Sequence, residues 1–321
     1  PPNLSLLPRR TASSYLSGKV VWITGASSGL GEQLAISAAA GGAEGIIISA
    51  RREDALETVR LACENARPAG WSTAGGVRVL PFDVGDLDFV QKEAVGKAMA
   101  EFGRVDTLVL NAGISTRGSV EETSLDVEKR VMGVNYFGPV GLAKGLLMAR
   151  PKPPAVEPVP ASTEETTSSS GTGGGGGAKR WAGAEVGFVV MNSVQGKFGM
   201  AFRSSYAASK HALLGFFDSL RAEEAHRGVR VTNIFPGYVR TSLSINALAA
   251  DGSPHARMDP TTAAGRDPRE VADEVWAAAA KGKEEVVIAD LKTNVAVLLR
   301  ALAPRTLFGI LAKRARKEGR H

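Results

Sequence analysis

The stretch Lys19-Val-Val-Trp-Ile-Thr24 runs into Gly25-Ala-Ser-Ser-Gly-Leu-Gly31 and then into the alanine-rich segment Glu32 to Ala40. The first run is apolar and rich in β-branched residues, which predicts a buried strand, and the alanines predict a helix. The glycines between them permit a tight turn and let backbone N–H groups come close to a bound group. The helix N-terminus that follows offers unpaired N–H groups and a partial positive charge, a setting that suits a pyrophosphate. A tight turn without a ligand is the plainer reading of a glycine triplet. The strand before it and the helix after it favour the phosphate cradle, with Gly25, Ser27, Ser28, Gly29, Leu30 and Gly31 as cofactor-binding residues.

The alternation continues outward. Strands are predicted at Gly45 to Ser49, Val77 to Phe82, Val105 to Leu110, Glu185 to Met191, Val229 to Phe235 and Glu285 to Ala289. Helices are predicted from Arg51 to Asn65, on the spacing of Leu56, Val59, Leu61 and Cys63, and at Phe89 to Phe102 and Val120 to Lys144. Short apolar strands alternating with helices imply an α/β fold of Rossmann type, a doubly wound parallel sheet in a single domain. Pro151 to Gly183 breaks the rhythm: it is rich in Pro, then Ser and Thr, then a glycine run, and is expected to be a disordered loop insertion. A linker between two domains is the alternative, but the strands on either side read as parts of one sheet. The expected organisation is a lead segment at 1–18, a catalytic domain at 19–290 and an extension at 291–321.

The 321 residues are 44% hydrophobic and 22% charged, which excludes wholesale disorder, collagen and coiled coil. Lys313, Arg314, Arg316, Lys317 and Arg320, less Glu318, give the last nine positions +4 of the net +6, so the rest of the chain is nearly neutral. That distribution gives no argument for nucleic-acid binding. Cys63 is the only cysteine, so no intrachain disulfide can form and a disulfide-built secreted fold is excluded. No stretch reaches the ~18 uninterrupted apolar residues of a membrane span. The nearest, Asn294 to Ala312, is interrupted by Arg300, Pro304 and Arg305. The sequence opens on Pro1-Pro2 without an initiator Met, so a processed form or fragment is expected.

The second strand ends in Ser49-Ala50-Arg51-Arg52. A carboxylate there would bind the 2′-hydroxyl of NAD, whereas an arginine pairs with the 2′-phosphate of NADP. Arg51 therefore predicts NADP(H), with NAD(H) as the second option. The plainer reading makes Arg51 and Arg52 solvated residues at a helix start. Further on, Tyr206-Ala-Ala-Ser-Lys210 places Tyr206 and Lys210 on one face of a helix. A tyrosine with a pKa near ~10 gives up its proton poorly at neutral pH, and a nearby ammonium favours the phenolate. Ser193, at the end of a strand, is placed to hold a carbonyl oxygen beside Tyr206.

Together these motifs resemble the short-chain dehydrogenase/reductase family over roughly Lys19 to Ala289, without the low-complexity insertion. The resemblance implies that Asp83 contacts the adenine. It also implies that Asn111, in Leu110-Asn111-Ala112-Gly113, belongs to the family's Asn-Asn-Ala-Gly motif, with Leu110 in place of the first Asn. The implied catalytic tetrad is Asn135, Ser193, Tyr206 and Lys210, with Asn135 ordering a proton-relay water. Tyr206 and Lys210 also contact the cofactor, Pro236 lies beside the nicotinamide, and Thr241 meets the carboxamide. Phe202-Arg203-Ser204, Met258-Asp259 and the run Ala289 to Glu318 narrow the resemblance to the member 7B branch of the dehydrogenase/reductase subfamily. That branch implies an intracellular protein associated with the cytosolic face of the endoplasmic reticulum or peroxisome. It also implies acyl- or alkyl-dihydroxyacetone phosphate, or another lipid-like ketone, as substrate.

The function expected is NADP(H)-dependent carbonyl reduction or alcohol oxidation by hydride transfer on a small lipid-like substrate, with no nucleic-acid partner. The alternative is a cofactor-binding regulatory protein with little turnover. A homo-oligomer is a family-level expectation. His211, His226, His255 and His321 lack metal-ligand spacing, so no metal is expected. Residues 243–266 are polar and small, and the resemblance makes them a lid over the substrate. At the C-terminus, two apolar patches flank Pro304 ahead of the basic cluster. They fit either a bilayer contact or a sheet cap or dimer interface.

Overall fold

Successive side chains along each central strand enter two different cores. In β1 (Val20–Thr24), Val21 and Ile23 join one apolar cluster while Val20 and Trp22 join the other. Val109 against Leu108 and Leu110, and Val189 against Phe188 and Val190, repeat the division. A strand buried on both faces is the signature of a parallel sheet sandwiched between helical layers. The computed structural model describes residues 12–68, 75–150 and 186–318. The remaining strands are β2 (Gly45–Ser49), β3 (Gly76–Val79), β4 (Thr107–Leu110), β5 (Thr116–Arg117), β6 (Gly187–Met191), β7 (Arg230–Pro236), β8 (Leu248–Ala249) and β9 (Glu285–Ile288). Among the described residues the main sheet has seven parallel strands in the order β3-β2-β1-β4-β6-β7-β9. β5 and β8 pair separately.

The longer helices are α1 (Gly29–Ala40), α2 (Glu53–Asn65), α3, α4, α5 (Ser204–Glu224), α6 (Pro268–Ala280), α7 (Leu291–Leu302) and α8 (Pro304–Glu318), with a single turn at Pro260–Ala263. α3 joins Leu87–Phe89 to Val95–Phe102 through the π-turn Val90–Ala94. α4 joins Leu125–Met132 to Gly138–Ala149 through the π-turn Gly133–Phe137. α1, α2 and α6 supply the core that holds Val21 and Ile23; α3, α4 and α5 supply the one that holds Trp22. Ahead of β1, residues 12–16 are helical, and Leu16 enters the first core.

The doubly wound fold and single domain are as expected, with local differences. In α2, Leu56, Val59 and Cys63 are buried at spacings of three and four, while Leu61 falls on the opposite side and is exposed. Burial pushes the Cys63 thiol up to about 12, which leaves it inert. α4 starts at Leu125 and not at Val120, because Ser124 caps it by accepting the Val127 N–H. β3 ends at Val79, three residues early, although Leu80 and Phe82 remain in the core. The insertion at 151–183, Glu185, Arg320 and His321 lie outside the described residues.

Candidate active site

The strand order reverses between β1 and β4, and a crevice opens there at the carboxyl ends of the strands. It is a cleft of about 980 Å³. Gly25, at φ +67°, sits so close to the exit of β4 that a Cβ would lie 2.7 Å from Ala112 Cα. A methyl on Gly31 would run into the Gly25 carbonyl oxygen. Both positions therefore need glycine, and the turn leaves its backbone open to the cleft. Asn111 fastens the loop from behind: its Nδ2 donates to the Thr24 and Gly25 carbonyls at 3.0 and 3.1 Å. Thr24 Oγ1 accepts from the N–H groups of Asn111 and Ala112 at 3.1 and 3.2 Å. Leu110, where the family motif has its first Asn, is buried in the core and faces away from the chemistry.

At the end of the cleft beyond β2, Arg51 and Asp83 form a half-exposed ion pair at 3.8 Å. Arg52, which sequence reading treated only as Arg51's neighbour, reaches across the glycine loop. Its Nη2 donates to Ser27 Oγ at 3.3 Å and Ser28 Oγ at 3.5 Å. Two guanidinium groups thus flank a loop that has no room for a Cβ at Gly25 or Gly31. This donor set fits the phosphates of a nicotinamide dinucleotide.

At the other end, Tyr206 and Lys210 stand one turn apart on α5 and are 6% and 4% exposed. The Lys210 Nζ lies 5.8 Å from the Tyr206 ring centroid. It donates at 2.8 Å to the Met191 carbonyl, beyond the last β4–β6 register pair, Leu110 and Val190. Burial lowers the Lys210 pKa from 10.5 to about 8. Burial also raises the Tyr206 hydroxyl, opposed by a hydrogen bond with the Ser193 hydroxyl and by the charges of Arg117 and Arg203. Ser193 caps the 3₁₀ turn Val194–Gly196, accepting the Gln195 N–H at 3.1 Å. Pro236 and Thr241 form part of the wall, with Thr241 packed against Gly29.

The cleft is bordered by Gly25, Ser27, Ser28, Gly29, Leu30, Gly31, Arg51, Asp83, Asn111, Ser193, Tyr206, Lys210, Pro236 and Thr241. Asn135 is the sequence-predicted residue that does not border it. It lies fully buried in the π-turn of α4, where Oδ1 accepts the Ile114 N–H at 2.8 Å and Nδ2 donates to Ile114 O at 2.9 Å and Ser209 Oγ at 3.0 Å. It therefore braces the wall behind Lys210. Gln195 also borders the cleft, and its buried amide oxygen has no hydrogen-bond partner among the described residues.

The segment 243–266 is fastened to the body. β8 pairs with β5, and Asp259 Oδ2 accepts from Arg117 at 2.5 and 3.1 Å and from Arg203 at 3.1 Å. α7 and α8 pack Leu307, Val297 and Leu299 against Val194, Phe198 and Phe235. Arg314 of α8 turns inward to Tyr238 Oη at 3.0 Å. No helix of the described residues is long and apolar enough to cross a membrane.

Residues 19–152 and 179–251 match the sequence model of the short chain dehydrogenase family. The chain belongs to the short-chain dehydrogenase/reductase family. It is 43% identical over 305 residues to dehydrogenase/reductase SDR family member 7B of Bos taurus, spanning 95% of this chain and 84% of that protein. To the dehydrogenase/reductase SDR family protein 7-like of Anopheles gambiae it is 39% identical over 314 residues, 98% and 88% of the two chains. Among solved structures, a short-chain dehydrogenase from Streptomyces avermitilis superposes with TM-score 0.67 at 24% identity, covering 94% of this chain and 98% of that one. An alcohol dehydrogenase from Thermococcus sibiricus, complexed with 5-hydroxy-NADP, gives 0.62 at 23% identity over 85% and 96%. These two share the fold. As a short-chain dehydrogenase/reductase the chain is an oxidoreductase of a small-molecule substrate.

Proposed function

We propose that the chain reduces the carbonyl of a lipid-like ketone with NADPH, or runs the reverse alcohol oxidation. The observation that carries this is a single cleft joining the glycine cradle to Ser193, Tyr206 and Lys210. Arg51, with Arg52 across Ser27 and Ser28, holds the extra phosphate of NADP(H), since β2 ends in Ser49 and Ala50 with no carboxylate for NAD. Asp83 meets the adenine end. A nicotinamide dinucleotide held there would supply the hydride for the carbonyl carbon. Tyr206 gives its phenolic proton to the carbonyl oxygen, which the Ser193 hydroxyl holds beside it. Lys210, poised near 8 by burial, stabilises the tyrosinate left behind and passes on the next proton. Asn135 keeps that relay in place through Ile114 and Ser209.

A lipid-like substrate is supported by the apolar rim of the cleft, where Leu243 and Ile245 stay more than a third exposed. α7 exposes Leu291, Val295, Leu298 and Leu302 at spacings of four, three and four, and α8 exposes Phe308 and Ile310. Lys292, Arg300, Arg305, Lys313, Arg316 and Lys317 lie on the same two helices. Such a surface suits shallow insertion at an anionic bilayer. The cytosolic face of the endoplasmic-reticulum or peroxisomal membrane, implied by the resemblance, is the proposed place. The resemblance also makes acyl- or alkyl-dihydroxyacetone phosphate the first substrates to try. NADPH oxidation is followed with these, retinal, steroids and short ketones, each against NADH. Turnover is expected with long-chain carbonyls and NADPH; no consumption of either cofactor across the panel refutes the proposal.

A further inference from the structure

The catalytic end of the cleft holds an ion cluster that the steps above do not use. Arg117 lies on β5 and Arg203 is the residue before α5, three positions ahead of Tyr206. The backbone brings them together: the Gly118 N–H donates to the Phe202 carbonyl at 3.1 Å, and Phe202 adopts the left-handed φ of +62°. That conformation is strained for a bulky residue and persists only where the surroundings fix it. Both arginines border the cleft, with side chains only 14% and 7% exposed. Asp259 is the carboxylate they share. Glu318 of α8 approaches Arg203 at 3.8 Å, but its closer partner is Arg314 at 2.6 Å. Arg117, Arg203 and Arg314 thus face Asp259 and Glu318, three cations against two carboxylates. Burial and the arginines hold nearby His255 toward its neutral form. Lys210 adds a cation over the Tyr206 ring. Arg314 and Glu318 are about a third exposed and offset each other. The well-buried set, Arg117 and Arg203 against Asp259, keeps one positive charge over, which is costly unless an anion completes it. The Tyr206 hydroxyl, on the same cleft, is the group those two charges act on.

We propose that Arg117 and Arg203, clamped by Asp259, are positioning residues that act through Tyr206: their uncompensated charge stabilises its phenolate and readies it for proton transfer. The charges of both arginines oppose the rise that burial imposes on Tyr206. Asp259 keeps them there, itself held below the ordinary carboxylate range by the two guanidiniums despite its burial. The inference rests on Tyr206 being the proton donor. Its test needs no turnover, so it fails or stands independently of the reaction.

The test is an ultraviolet difference titration of the full chain, reading the tyrosinate absorbance that Tyr206→Phe removes. Arg117→Gln and Arg203→Gln keep a hydrogen-bonding side chain without charge, and each is expected to move the Tyr206 midpoint up by about one pH unit. Arg117→Lys and Arg203→Lys retain the charge and are expected to restore most of that shift, although they lose the guanidinium fork. Melting temperatures of all four variants report folding. An unchanged midpoint in folded Gln variants overturns the proposal and leaves the cluster as a strap for residues 243–266. Equal shifts in the Lys and Gln variants also overturn it, because a lost fork, and not a lost charge, would then be the cause. Should a Gln variant fail to fold, the Lys variant decides alone: a midpoint as far from wild type as one pH unit refutes the role of charge.

Discussion

Lys210→Met tests the cost of keeping a buried ammonium inside the fold. Burial lowers its pKa from 10.5 to about 8, with the Met191 carbonyl as its hydrogen-bond partner among the described residues. At neutral pH the folded and unfolded states both carry the proton, so the folded state bears the whole penalty. The separation of the two pKa values corresponds to about 3 kcal/mol. As pH rises through the folded value, the folded state loses its proton first. The unfolded state then binds more protons, and the stability of the wild type rises relative to the variant until the unfolded pKa is passed. The variant also loses the bond to Met191, a penalty of about 1–3 kcal/mol that does not vary with pH. The discriminating quantity is therefore the slope of the difference and not its value at one pH. Urea denaturation of both proteins between about pH 7 and pH 10 should show the wild type gaining up to about 3 kcal/mol on the variant. A difference that stays constant across that range refutes the argument.

Other outcomes follow from the same geometry. Arg51→Ala should weaken NADPH far more than NADH in a fluorescence binding assay, and Arg52→Ala should do the same through its contact with Ser27 and Ser28; equal weakening of both cofactors would show that the arginines do not read the extra phosphate. Asn135→Ala leaves the Ile114 N–H and carbonyl unpaired, and a loss of about 2–4 kcal/mol in chemical denaturation is expected; a loss under 0.5 kcal/mol would mean water replaces the amide. The intact chain should co-sediment with anionic vesicles at low salt, and a version ending at Ala312 should bind less; equal binding by both removes the C-terminal basic cluster from the contact. Arg314 already pairs with Tyr238 and Glu318, so Arg314→Ala should affect that binding less than Lys313→Ala.

The glycine loop and the sheet were legible because their determinants are local. β1, the turn and α1 follow each other within Val20 to Ala40, and the alternation of Val21 and Ile23 with Val20 and Trp22 is written in the strand itself. Tyr206 and Lys210 were legible for the same reason, being four residues apart on one helix face. The helix start at Leu125 was missed because the apolar pattern runs back to Val120, while the stop is set by the Ser124 cap. The arginine cluster was not legible. Arg117 and Asp259 are 142 residues apart, and tertiary contacts such as the pairing of β5 with β8 bring their segments together. Arg52 was hidden differently: the doublet was visible, but which arginine crosses the loop depends on how α2 leaves β2. The split of the C-terminal apolar residues, with Leu307 buried and Leu302 exposed, depends on packing against Val194 and Phe235 and has no counterpart in the local sequence.

The central claim is that Tyr206 is the proton donor of an NADPH-dependent carbonyl reduction. Tyr206→Phe keeps the ring packing and removes only the hydroxyl, so it separates chemistry from binding. With the best ketone of the substrate panel, kcat should fall by at least roughly 100-fold while the NADPH dissociation constant changes little. Turnover near the wild-type rate in that variant, with cofactor binding intact, would contradict the account.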